Sequence, residues 1–319
     1  VIWLLLAGFQ SQAAHAVGSR QAPAAPDQTE PKIFAPGVIS SPANDGSPTF
    51  SPDGNTLFFT RSTANWSAIL ESHKAQGNWS KPVLAPDGSF IVFQSTRPAM
   101  PLIVAPKIGE PIAGVVSNLW RVNRVGSGWS EPVRLPDAVN MGHSIWKPSL
   151  AANGNLYFTV IDAKGGKRLY CSKFQGGVYQ PAQPLAFSNG TQGDVDPEVA
   201  PDESFLIFVS SERLPGNQKD HLFIVARDGA RWGPVVPIRY GGDDKNGFST
   251  DDEPHLGQGQ TTIYFSSDRA VPVHFPRTRE QALKDVERLE SWDNSNSNVW
   301  TLPIQPYLES ARIAAKGRS

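Results

Sequence analysis

Cysteine is nearly absent. Cys171 stands alone among 319 residues, which excludes an intrachain disulfide and any cysteine-cluster metal site. Charge of one sign is lacking as well: 29 basic and 30 acidic residues leave a net charge of −1, so the composition marks neither nucleic acid nor an anionic membrane surface as a partner. The apolar run at residues 1–9 is too short to span a bilayer as a helix. The six histidines (15, 73, 143, 221, 255 and 274) form no His-x-x-x-His pair, and there is no phosphate-binding glycine loop. Gly128-Trp129-Ser130 lacks the second glycine of a nucleophile elbow and recurs elsewhere as a strand motif, which argues against a catalytic serine. What is abundant is turn and ring chemistry. Glycine and proline number 28 each, below the share that marks low-complexity disorder, and 9 Trp, 16 Phe and 6 Tyr suffice for a sizeable core.

The N-terminus reads as an export signal. The apolar run Val1 to Phe9 is followed by Ala14-His15-Ala16, the small-x-small pattern a signal peptidase cuts after. No basic segment precedes Val1, as expected of a leader whose start is incomplete. Residues 1–16 are therefore expected to be a signal peptide and 17–30 a flexible linker, leaving a periplasmic or secreted protein with no transmembrane segment after cleavage.

Self-comparison then organises the rest. Five segments align: Pro48 to Gly54, Pro82 to Gly88, Pro148 to Gly154, Pro197 to Glu203 and Pro254 to Gln260. Each runs into an apolar strand carrying Phe59, Phe93, Phe158, Phe208 or Phe265, at an offset of 10 or 11 from the leading proline. In Ser51-Pro52-Asp53-Gly54 the proline presets φ for a turn, aspartate suits the next place, and glycine accepts the left-handed residue that follows. A third strand carries Ile69-Leu70, Leu119-Trp120, Leu169-Tyr170, Leu222-Phe223 or Val299-Trp300. A fourth is announced by Gly77-Asn78-Trp79-Ser80, Gly128-Trp129-Ser130, Gly177-Val178-Tyr179 and Arg231-Trp232. Four short strands per repeat, each unit unable to bury its own face, predict an all-β propeller.

The Pro-Asp-Gly hairpin with its following Phe, the Asn-Leu-Trp strand and the Trp-Ser-x-Pro strand resemble the WD40-like repeats of TolB-type periplasmic propellers. The resemblance covers about residues 31–305. It implies an exported binding or scaffold propeller and is silent on activity, because the recurrent residues are those of turns and packing.

Five blades are expected. With the linker and two insertions set aside, roughly 48 residues remain per blade, against about 40 for a six-bladed alternative that lacks a sixth hairpin. The fifth repeat has no fourth strand of its own, so residues 31–40 are expected to supply it and close the ring; 306–319 reads as a polar C-terminal tail. The leading prolines are spaced 34, 66, 49 and 57 apart. The short first step asks residues 79–88 to serve two blades at once, which predicts that blade one or two is a strand short.

The long steps hold insertions at 98–117 and 270–297. The second contains the one inserted helix, with Thr278 and Gln281 as a capping box, Glu280 and Lys284 as a pair, and Ala282, Leu283, Val286 and Leu289 as an apolar face. It reads either as a functional loop or as a cover for an exposed blade edge.

Candidate ligand residues gather at the entrances of blades four and five. They are Asp194, Asp196, Asp251, Asp252, Glu253, His255 and Arg269, with Asp243 and Asp244 between. Asp251 and Asp252 are the carboxylates to consider for Ca²⁺ or Mg²⁺, although neither run matches a closed calcium loop, and no other cofactor is implied. If these side chains converge, His255 should touch the ligand with Asp252 and Glu253 as its charge partners. Arg97, Arg213 and Arg269 recur after the second strand, a repetition that favours tying a turn to nearby carboxylates or carbonyls. The expected function is that of a non-enzymatic, monomeric exported scaffold binding an envelope or extracellular protein or other ligand. The alternative is a carbohydrate-binding or carbohydrate-cleaving propeller of the cell envelope, with a glycan as partner. The sequence leaves open whether the 270–297 insertion shares a face with the carboxylates.

Overall fold

A computed structural model describes residues 30–51, 54–64, 67–75, 78–80, 90–95, 117–126, 128–214, 219–240, 249–270, 273 and 275–317. The expected leader, the linker through residue 29, residues 81–88, 98–116, Arg97, Asp243, Asp244 and His274 lie outside them.

The chain forms a five-bladed β-propeller. A two-residue strand, β1 (Lys32–Ile33), precedes blade one, which holds β2 (Asn44–Phe50), β3 (Thr56–Ser62), β4 (Ser67–Ala75) and β5 (Asn78–Ser80). Blade two holds β6 (Phe90–Ser95), β7 (Asn118–Val125), β8 (Gly128–Trp129) and β9 (Val133–Arg134). Blade three holds β10 (Ser144–Leu150), β11 (Leu156–Ile161), β12 (Lys167–Ser172), the small hairpin β13 (Phe174–Gln175) and β14 (Val178–Tyr179), and β15 (Gln183–Pro184). Blade four holds β16 (Asp194–Val199), β17 (Phe205–Ser210), β18 (His221–Asp228) and β19 (Arg231–Pro237). Blade five holds β20 (Asp251–Leu256), β21 (Thr262–Ser267) and β22 (Asn298–Pro303).

The repeat chemistry explains the strands. In four hairpins the fourth turn residue donates its N–H back to the first: Gly54 to Ser51, Gly154 to Ala151, Glu203 to Ala200 and Gln260 to Gly257, at 2.8–3.0 Å. That fourth residue is left-handed whether or not it is glycine, with φ of 66°, 85°, 58° and 54°. The aromatic of each second strand faces the same partner in its third strand: Phe59 with Leu70, Phe93 with Trp120, Phe158 with Tyr170, Phe208 with Phe223 and Phe265 with Trp300. One register thus runs through all five blades.

Closure follows the sequence expectation. β1 pairs with β22, Lys32 opposite Thr301 and Ile33 opposite Trp300, so the start of the propeller completes the last blade. Ile39 behind it is fully buried. Among the described residues, blade two is the one that lacks an inner strand. Its described strands include none innermost to β6, whereas blade one has all four. The glycine-aromatic segments need a refinement. Gly128–Trp129 and Val178–Tyr179 form hairpins beyond the blade, and the outer strands of blades two and three are β9 and β15 instead.

Two helices accompany the strands. The inserted helix α1 (Arg279–Glu287) starts at the capping box of Thr278 and Gln281. The second, α2 (Gln305–Lys316), corrects the reading of 306–319 as a polar tail. Its Tyr307, Leu308, Ala311 and Ala315 are buried in the core between blades four and five. The stripe is narrow, small and interrupted by charges, which hid it from a composition-based reading. Gly233 on β19 lets the helix approach, since a Cβ there would lie 2.7 Å from that of Ala315. Among the described residues no helix is long and apolar enough to cross a membrane.

Candidate functional site

The innermost strands β2, β10, β16 and β20 each carry the leading proline, which has no N–H to give the ladder. Each strand bulges there: the pairing skips between Gly46 and Thr49, Trp146 and Ser149, Val195 and Glu198, and Asp252 and His255. The residue before the proline is left-handed every time: Ser47 (φ 50°), Lys147 (45°), Asp196 (52°) and Glu253 (53°). A residue before proline ordinarily stays extended, so each of these conformations costs on the order of 1–3 kcal/mol.

These four side chains meet across blades. Glu253 accepts from Ser47 N and Ser47 Oγ, both at 2.5 Å, and from Ser266 Oγ at 2.8 Å. Lys147 Nζ lies 3.5 Å from Glu253 and 3.4 Å from Ser47 Oγ. The Glu253 N–H in turn supports the Asp196 carboxylate. Burial opposes the charge of Glu253, yet Lys147 and these donors hold its carboxyl below the usual range.

Two residues further along the strands lies a second tier. Glu198 accepts from Ser149 Oγ at 3.0 Å, from Leu256 N at 2.9 Å and from His255 Nδ1 at 3.1 Å. The His255 ring stacks 6.3 Å from Phe50. Burial pushes Glu198 up, but His255 and the other donors override it, so this carboxyl too sits below its ordinary value. The structure therefore corrects the expected partnership of His255. Its carboxylate partner is Glu198 of blade four, while Glu253 is taken by Ser47, Ser266 and Lys147.

A third tier sits where the inner strands begin. Asp45 pairs with Arg61 at 2.6 Å, Asp194 with Arg213 through two bonds of 2.7 Å, and Asp251 with Arg269 at 3.4 Å. Asp251 also accepts the Tyr240 hydroxyl, and Arg213 donates to Phe187 O at 2.8 Å. Arg213 and Arg269, two of the three recurrent arginines, thus partner the aspartate three positions before the leading proline, and Arg61, outside that recurrence, does the same in blade one. Of the candidate residues, Asp194, Asp251 and Arg269 are thus tied into internal pairs, both carboxylates being buried, and Asp251 also faces His221 of blade four at 3.9 Å.

Asp252 is different. It makes no hydrogen bond or ion pair with any described residue, and burial followed by the nearby charges of Asp220, Asp196 and Glu253 pushes its carboxyl up to about 8. Asp196 is pushed up to about 6 by burial, with Lys147 pulling the other way. Among the described residues no group of three or more His, Cys, Asp or Glu is arranged to hold a metal ion.

Strand register settles which face is involved. Asp251 stands opposite Ser267, and Ser267 opposite Asn298. The insertion between β21 and β22 therefore leaves and returns at the end where β20 begins, on the same face as Asp251 and Asp252. Asn294 and Asn296 tether it to the Pro42 carbonyl, at 2.9 and 2.8 Å. Sequence reading missed Ser47, Lys147 and Ser149, and left Glu198, which closes the acidic run from Asp194, out of the candidate residues. All four flank a leading proline, so alignment of the positions on either side of that proline carries the signal.

No protein-family model matches this sequence, and a search of curated proteins finds no match either. Solved structures share the propeller architecture. TolB from Acinetobacter baumannii is 14 % identical with a TM-score of 0.43, over 82 % of this chain and 55 % of that one. A gluconolactonase from Xanthomonas campestris is 12 % identical with a TM-score of 0.42, over 87 % and 95 %. The α-L-arabinofuranosidase of Podospora anserina is 10 % identical with a TM-score of 0.46, over 86 % and 96 %. This chain spans about half the length of the Acinetobacter protein. At such identities the likeness is one of fold alone.

Proposed function

We propose that this propeller is an exported, non-enzymatic binding scaffold, TolB-like in its repeats, and that it takes its ligand where Asp252 and Asp196 meet at the start of the inner strands. The observation that carries the reading is the contrast among carboxylates. Glu198, Glu253, Asp194 and Asp251 are each tied up by two or more internal donors, whereas Asp252 has no described partner. A carboxylate left unpaired beside others is relieved by a ligand that brings hydroxyl or cationic donors. The partner classes are an envelope or extracellular protein, or a glycan. A glycan array probed with the full chain and with Asp252→Asn tests the glycan arm; signals falling about tenfold or more in the variant support it. Equal signals from both proteins remove Asp252 from the binding surface and overturn the reading.

A second reading, carbohydrate cleavage, is favoured by one feature. Asp252 keeps its proton near neutrality while Glu198 and Glu253 stay ionised, the division between acid and base that glycoside hydrolysis uses. Release of reducing sugar from array-positive glycans, lost in Asp252→Asn, would favour it over simple binding.

A further inference from the structure

The helical insertion presents an apolar surface outward. Leu283 is 52 % exposed, Val286 60 % and Leu289 64 %, and elsewhere in the insertion Phe275 is 74 % and Val273 40 % exposed. The expected apolar face is therefore not a cover for a blade edge. The side of α1 that is partly buried carries Ala282, Asp285 and Arg288 instead. Ion pairs hold that side: Arg277 to Asp285 at 2.5 Å, Arg288 to Asp285 at 3.3 Å, and Arg288 to Asp293 at 2.6 Å. A helix fastened by charges with its leucines and valine in solvent inverts the usual arrangement. Contiguous exposed apolar residues of this kind mark an interaction surface.

The charges beside the ridge identify what fits it. Lys284 is spent on Glu280 at 3.0 Å, whereas Glu287 and Glu290 are exposed and pair with no described residue. We propose that the ridge of Leu283, Val286 and Leu289 docks a segment of another protein that presents apolar side chains flanked by lysine or arginine. The apolar side chains cover the ridge, and the basic ones reach Glu287 and Glu290. This site stands independently of whatever Asp252 binds.

A displayed library of random short peptides, selected against the full chain, supplies the probe. Enriched peptides should combine apolar and basic residues. Their affinity should fall about tenfold or more for Leu283→Ser with Val286→Ser, and for Glu287→Lys with Glu290→Lys, and stay unchanged for Asp252→Asn. All four altered positions, three on α1 and Glu290 just beyond it, are exposed, so the fold should persist, and an unchanged thermal melt confirms it. Enriched peptides that are acidic, or that bind both α1 variants like the parent, overturn the proposal. So does a patch-dependent rise in mass with concentration, or α1-dependent sedimentation with vesicles carrying phosphatidylglycerol.

Discussion

The interface of blades four and five and the seam of blades one and two start from the same repeat and end differently. Between blades four and five, Phe205, Ile207, Val209, Ile224, Ile263, Phe265 and the inner side of α2 form one buried cluster. Smaller clusters join blades three and four, two and three, and five and one. Among the described residues no such cluster joins blades one and two. Phe59, Phe158, Phe208 and Phe265 are buried, yet Phe93 at the same repeat position is only partly so. A motif therefore predicts the strand and its register. How deeply its aromatic is buried is set by the packing around each blade and not by the motif.

The sharpest way to break this comparison is to truncate the same aromatic in both regions. Phe265→Ala should cost about 3–5 kcal/mol, the range for a fully buried aromatic in a close-packed core. Phe93→Ala should cost less than half of that, measured by denaturant unfolding of each variant. Equal losses would mean that the seam is packed as tightly as the four–five interface. Hydrogen exchange gives an independent reading. Amides of β6 and β7 should exchange before those of β17 and β18, since poorly covered elements open at lower free energy.

Next in size is the ion pair beneath blade four. Asp194→Asn leaves the Arg213 guanidinium buried without its counter-charge, and breaking such a pair typically costs about 3–5 kcal/mol. Asp45→Asn in blade one should lose less, because Arg61 is twice as exposed as Arg213, 24 % against 12 %. Thermal melts of the two variants check the order. A larger loss at Asp45 would show that solvent access does not set the value of these pairs. The same reasoning warns against replacing Asp251, Asp252 and Glu253 together to probe binding, since Asp251 and Glu253 hold the blades in place.

Much of this was legible beforehand, and the exceptions have physical causes. Turn chemistry and the proline-to-phenylalanine offset specify local geometry, so the five blades, their register and the closure by residues 31–40 could be read from spacing. The helix α2 could not, because its contact with β19 depends on the lack of a side chain at Gly233, which is far away in sequence. Nor could the partner of His255. The pairing with Glu198 crosses from blade five to blade four, and sequence proximity to Asp252 and Glu253 pointed the wrong way. The inserted helix was found with its cap, its Glu280–Lys284 pair and its apolar residues. The burial of its charged side arises from Arg277 and Asp293, which lie outside the helical period.

The smallest effect concerns Asp252 and runs against the ordinary behaviour of a carboxylate. Its carboxyl is raised from 3.8 to about 8 in the folded protein, so the folded state binds the proton more tightly than the unfolded chain does. Its contribution to stability is complete below about pH 4 and is lost as the pH climbs through 8. Glu253 and Glu198, lowered in the folded state, act in the opposite sense and protect above their unfolded values near 4.5. Asp252→Asn should therefore leave stability little changed only at or below about pH 4, where both states hold the proton. At pH 9 it should raise stability by about 1–2 kcal/mol, roughly 2–4 °C in melting temperature, after allowance for solvent screening. Partial relief is expected when Asp196 is replaced instead, because its charge is among those that hold Asp252 protonated. A variant that gains as much at pH 4 as at pH 9 would show that packing, not the ionisation of Asp252, produces the gain.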